Sequence, residues 1–185
     1  MDVARSSTGI ALEDLSGNNY HATTSCGFSV ATEGVQALSI ANGCSISTPL
    51  TSKGNDYTLS FSVRQLSSSK PGPIFTGPDS ELWSGNGTST QVMFMSAGNA
   101  FALNYTLPAE EWVDASVIGR GNQTFFKAAT QGGGGIEEEM EFTTTVGING
   151  ESFAWARMAF VAPLQIIGGG GWEGELQGVK LVDHA

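Results

Sequence analysis

Residues 57–65 read YTLSFSVRQ, and this alternation constrains the chain more than any other segment. Side chains on a strand point alternately to opposite faces, so Tyr57, Leu59, Phe61 and Val63 fall on one side. That side must be buried, and polar residues occupy the other. A sheet with one core face and one solvated face is the antiparallel kind. Similar strand candidates recur about every 10 residues, separated by Gly, Asn and Ser turns. They are 35–40, 45–50, 72–76, 80–83, 91–95, 100–106, 112–118, 124–129, 136–146, 153–161, 164–167 and 175–182. Asn42-Gly43 stands between the first two of these and predicts a tight hairpin there.

The expected fold is therefore all-β, a two-sheet antiparallel sandwich of jelly-roll type. The chain has 185 residues, enough for one domain with a full core, and 1–185 reads as a single unit with no repeat and no long linker. The glycine runs at 132–135 and 168–171 are short enough to be loop tips. The second raises a question of its own. In PLQIIGGGGWEGELQGVKLVD four glycines precede Trp172, and Gly174 and Gly178 flank Leu176. A glycine inside a strand marks a bulge or a close approach of another group.

A net charge of −10, from 18 acidic against 8 basic residues, repels a phosphate backbone and argues against nucleic acid as a partner. No run approaches the roughly 18 apolar residues of a membrane helix, so no membrane partner is expected. Three acceptor sequons, at Asn86, Asn104 and Asn122, point to secretion. Cys26 and Cys44 agree with it, because a bridge closing a loop of that size stabilises by roughly 3 kcal/mol in the chain-entropy picture. The other reading of the two cysteines is a pair of buried thiols. Met1 is followed by Asp2 and by no leader, so the chain reads as a module taken from a longer secreted protein.

Several segments resemble the concanavalin A-like, laminin-G-type jelly roll. EDLSGNNYHAT is similar to that family's opening loop, and YTLSFSVRQ to its strand of alternating aromatic and small residues. LPAEEWVDASVIGRGNQTFFKA resembles the hairpin in which a Trp follows a polar turn and the returning strand carries an aromatic. The closing segment 163–183 resembles the family's last pair of strands. The resemblance implies core positions for Trp112 and Trp172, with Gly174 and Gly178 bending the last strand beside the N-terminal one. It also implies an accessory module of a secreted carbohydrate-active enzyme, such as a fungal enzyme resembling β-N-acetylhexosaminidases.

The expected activity is non-catalytic carbohydrate binding, with a glycan as partner and a catalytic domain of the same chain as neighbour. An aromatic would stack on a sugar face while polar side chains bond its hydroxyls. Trp83, followed at once by a polar Gly-rich loop, is the first candidate, with Asp79 beside it and Trp155 as a further aromatic. Against this stands plain packing, since large aromatics are mostly buried. An enzymatic alternative rests on GIEEEMEF, where Glu137, Glu139 and Glu141 would project from one face of a strand. Alternate residues lie about 6.5 Å apart, close to the roughly 5.5 Å of a retaining glycosidase pair. The competing reading is an acidic edge strand that discourages edge-to-edge pairing. A third reading is a sandwich that only packs against its catalytic neighbour. His21 and His184 lie far apart in sequence and suggest no zinc site. Asp56, Asp79 and Asp114 fall in or beside loops, and Asp14 with Asp183 near the two ends would suit a structural Ca²⁺, which laminin-G-type folds often carry.

Overall fold

The computed structural model describes residues 5–6, 9–12, 14–30, 36–50, 54–132, 140–142, 144–147, 152–154 and 159–184. In chain order the strands are β1 (Arg5–Ser6), β2 (Gly9–Leu12), β3 (Ala22–Thr24), β4 (Gly27–Val30), β5 (Gln36–Ile40), β6 (Ser45–Ser47), β7 (Tyr57–Gln65), β8 (Pro73–Thr76) and β9 (Glu81–Trp83). They continue with β10 (Gln91–Ser96), β11 (Asn99–Thr106), β12 (Trp112–Arg120), β13 (Gln123–Thr130), β14 (Met140–Glu141), β15 (Thr144–Gly147), β16 (Ser152–Ala154), β17 (Ile166–Gly168) and β18 (Gly174–Asp183). No helix occurs among the described residues.

The strands form two antiparallel sheets packed as a sandwich of jelly-roll type. Among the described residues one has eleven strands in the order β1-β2-β3-β6-β17-β8-β9-β10-β11-β15-β16, and the other seven in the order β14-β13-β12-β7-β18-β5-β4. The alternation in β7 does what its sequence dictates: Tyr57, Leu59, Phe61 and Val63 are buried, and Thr58, Ser60, Ser62 and Arg64 are half-buried on the outer face. Its neighbour β12 buries Val113, Ala115 and Val117 in register with them. Phe61 from the seven-stranded sheet meets Phe75 from the eleven-stranded one edge to face, with ring centroids 4.7 Å apart. Phe94, Phe142 and Phe160 make a second aromatic knot, Phe94 lying 4.7 Å from each of the other two. Such pairs add about 0.5–1.5 kcal/mol each beyond the area they bury.

The glycine run carries the chain from one sheet to the other. Gly168 closes β17 in the eleven-stranded sheet and Gly174 opens β18 in the seven-stranded one. Three glycines of the crossing have positive φ, at 76° for Gly168 and 89° for both Gly169 and Gly171, a region that side chains enter at a cost. The crossing delivers Trp172 into the core, 1% exposed, where its Nε1 donates to Gln65 Oε1 at 3.2 Å.

Five sequence expectations are corrected. The Asn42-Gly43 turn forms, with positive φ at both residues and Cys44 N–H donating to Ala41 C=O at 3.1 Å, but it joins β5 in one sheet to β6 in the other. The hairpin partner of β5 is β4. Of the strand expected over 136–146, residues 136–139 and 143 lie outside the described residues, and the described parts fall in different sheets, β14 pairing with β13 and β15 with β11. Of the strand expected over 153–161, the described part is β16, and 159–161 are not in a strand. The last strand lies between β7 and β5, not beside the N-terminal one, because it is the seven-stranded sheet that β17 feeds. Trp112 is half-buried on the outer face opposite Arg64, since Val113 takes the inward position.

Candidate functional site

On β9 the alternation sends Leu82 into the core and leaves Glu81 and Trp83 on the outer face of the eleven-stranded sheet. Trp83 stands in register with Pro73 on β8 and Met93 on β10. Its Nε1 donates to Glu81 Oε2 at 2.6 Å, a charge-assisted bond that fixes the indole plane. Just beyond, Gly85 has φ of 152°, and a Cβ there would meet Ser89 O, so only glycine allows the following turn. Asn86 Oδ1 accepts from the N–H and Oγ1 of Thr88, at 3.1 and 2.9 Å, and from Ser89 N–H at 3.1 Å. Trp83 is thus a half-buried aromatic whose indole N–H is held by Glu81.

Asp79 sits in the turn that precedes β9, where Gly77 N–H donates to Ser80 C=O at 2.8 Å. Its backbone carbonyl accepts from Ser96 Oγ at 2.8 Å. Asp79, Asn55, Ser80, Ser96 and residues 159–161 line a cavity of about 290 Å³ at one end of the sandwich.

The outer face of the seven-stranded sheet carries a second constellation, which sequence reasoning missed. Strand register lays its side chains out in rows. Lys127, Ser116, Ser60 and Lys180 follow one another across β13, β12, β7 and β18. The next row holds Ala129, Asp114, Ser62 and Gln177. There Asp114 Oδ1 accepts from Ser62 Oγ at 2.5 Å and from Gln131 Nε2 at 2.8 Å. A third row holds Trp112, Arg64 and Glu175. Arg64 bridges Glu110 at 2.7 Å and Glu175 at 2.8 Å, and Glu175 also accepts from Ser29 Oγ at 2.5 Å. Glu110 is further held by Ser67 N–H, the main reason its carboxyl lies below the usual range. On the other side, Phe125, Ile118, Thr58 and Val182 form a mostly apolar row, with the Arg120 guanidinium 5.4 Å from the Phe125 ring centroid.

The position of Lys180 depends on one glycine. The register of β18 on β7 slips between Gln177 and Lys180, at Gly178 with φ of 57°, the geometry of a bulge built on a left-handed glycine. Val179 then packs against the core and Lys180 turns outward beside Ser60. The glycine was legible as a bulge in sequence; the row it completes needed the register.

The remaining candidates are placed as follows. Glu137, Glu139 and Trp155 lie outside the described residues. The backbone of Glu141 pairs with Phe125 in β14, at the edge of the seven-stranded sheet. Asn104 and Asn122 are exposed, on β11 and in the turn between β12 and β13, and Asn86 is half-buried. Cys26 and Cys44 form the expected disulfide, with Cα atoms 5.2 Å apart. Asp14 accepts from Ser16 N–H at 2.9 Å, Ser16 Oγ at 2.7 Å and Tyr20 N–H at 3.0 Å, so both its oxygens serve its own loop. Asp183 is in β18, opposite Tyr57. Asp56 Oδ1 accepts from Gly121 N–H at 2.5 Å. His21 Nδ1 accepts from Asp14 N–H at 3.1 Å and His184 Nε2 lies 3.0 Å from Thr58 Oγ1, which keeps the two histidines in separate roles. Among the described residues no group of three or more His, Cys, Asp or Glu side chains is arranged to hold a metal.

These features define a two-sheet β sandwich with a pinned outer-face aromatic on one sheet and a polar outer face on the other. No protein-family model matches the chain, and no curated protein matches it in sequence. Among solved structures it is similar to domain 4 of an extracellular GH43 arabinanase from Geobacillus stearothermophilus, solved in complex with arabinotriose. That match has a TM-score of 0.47 and 17% identity over 89% of this chain and 86% of the other. It is also similar to a protein of unknown function from Shewanella oneidensis, with a TM-score of 0.42 and 11% identity over 89% of this chain and 73% of that one. Likenesses at this level carry no assignment of activity.

Proposed function

We propose that the chain is a non-catalytic carbohydrate-binding module of a secreted glycoside hydrolase, a single domain attached to a catalytic neighbour. The observation that carries this reading is Trp83. A sugar-stacking aromatic has to hold its ring plane open to a ligand, and the 2.6 Å bond to Glu81 fixes the indole on an outer sheet face before any ligand arrives. Asp79, in the turn leading into the same strand, adds acceptors for sugar hydroxyls. The Cys26–Cys44 disulfide supports an oxidising compartment.

The test is a glycan array of the domain, with and without Ca²⁺, followed by titration of any hit against Trp83→Ala. A hit whose affinity falls about tenfold in the variant, roughly 1.4 kcal/mol, is the expected result. No hit in either condition would set the reading aside in favour of a purely structural sandwich.

A further inference from the structure

We infer that the outer face of the seven-stranded sheet is a binding trough for an acidic oligosaccharide, one bearing carboxylates on separate sugar rings, held between Lys127 and Lys180. This rests on the glycan-binding reading above and adds to it a ligand class and a second face.

The argument begins with charge. The chain carries 8 Lys and Arg against 18 Asp and Glu, so cations without an acidic partner are scarce. Arg64 is used by Glu110 and Glu175. Lys127 and Lys180 are both exposed, and among the described residues neither makes an ion pair. Register sets them at the two ends of one row with Ser116 and Ser60 between them. Three strand spacings separate their backbones by about 14 Å. Two ammonium groups at that span can each meet a carboxylate of one extended ligand, while a lone anion would reach only one.

The floor between them suits a polyhydroxylated chain. Ser60, Ser62 and Ser116 are short and half-buried, and Gln177 and Asp114 stand in the adjoining row about 6.7 Å away. Asp114 is the one carboxylate in these two rows among the described residues, and Ser62 and Gln131 already donate to it. It therefore serves as an acceptor for hydroxyls, not as a partner for either lysine. Taller rows bound the trough, Phe125, Ile118 and Val182 on one side and Trp112 with Arg64 on the other. Lys127, Asp114 and Lys180 are exposed on this face.

The experiment is isothermal titration of the whole chain with a short oligogalacturonate, a neutral oligosaccharide of equal length and a sulfated oligosaccharide of equal charge, each at low and at physiological ionic strength. The expected result is a preference for the oligogalacturonate that weakens with salt and falls at least about tenfold, 1.4 kcal/mol, in Lys127→Gln/Lys180→Gln. Lys70→Gln, at an exposed lysine beyond the end of β7, leaves that affinity unchanged, and Lys127→Arg/Lys180→Arg retains it while reporting on folding. Equal binding of the sulfated chain, or undiminished binding by the double Gln variant, overturns the inference. So does a neutral-sugar hit lost in Trp83→Ala with no preference for the acidic chain, an outcome that leaves the glycan-binding reading standing. Binding of no sugar at all overturns both.

Discussion

Gly174 lies against the indole of Trp172. A Cβ at position 174 would come within 2.6 Å of ring atom Cη2 and 2.7 Å of the Arg64 carbonyl oxygen. Neither neighbour has room to move, because the ring is 1% exposed and the carbonyl belongs to β7. The expected effect of Gly174→Ala is an overpacking loss of about 1–3 kcal/mol, read as a lowered urea midpoint with an unchanged slope. A midpoint equal to that of the parent would mean that Trp172 packs elsewhere.

Tyr57 is a second place where a single atom decides. The residue is fully buried and its hydroxyl has no hydrogen-bond partner among the described residues, while burial pushes its ionisation upward. A buried hydroxyl without a partner carries an unreturned desolvation cost. Tyr57→Phe is accordingly expected to raise stability by about 1 kcal/mol, measured by chemical denaturation. A fall of the same size would show that an internal water satisfies the hydroxyl.

The loop at 14–20 should respond to acid. Backbone and side-chain hydrogen bonds from Ser16, then the Tyr20 N–H, hold the Asp14 carboxyl below its ordinary value of 3.8. A depressed folded-state value contributes stability that is complete above the unfolded value and lost as pH falls through the folded one. Protection of the Ser16 and Tyr20 amides, taken relative to the intrinsic exchange rate at each pH, is therefore expected to hold at neutral pH and to fall only as pH drops below about 3.8. In Asp14→Asn the pH response should vanish. A loss of protection at low pH that persists in Asp14→Asn would remove the carboxylate as its cause.

Local alternation told most of the fold. β7, β10, β11, β12 and β13 fall within two residues of where their sequence places them, and β7 and β13 show why, since both alternate between core and outer face along most of their length. Partnership was harder to read. The Asn42-Gly43 turn has the local geometry its residues demand, but whether the next strand returns to the same sheet depends on contacts far along the chain, here β6 with β17 and β3. Trp112 and Val113 compete for one inward position, and the register with Val63 settles it. The same holds for function. Trp83 and Asp79 could be singled out from their neighbours in sequence, whereas Lys127 and Lys180, 53 positions apart in sequence, share a row only through the pairing of β13, β12, β7 and β18.

The placement of β18 also orders events in time. It follows every other strand in the chain but lies between β7 and β5, with most of its length against β7. During synthesis, then, the β4–β5 hairpin and the block of β7, β12 and β13 can each form before residues 174–183 emerge, and among the described residues no other strand of this sheet joins them. The half-built sheet exposes two unpaired edges in that interval, the interior one of β7 and that of β5. A chain stopped before Gly174 would lose the piece that unites its sheet, so truncation there leaves two fragments of a fold where removal of a peripheral strand would leave a trimmed one.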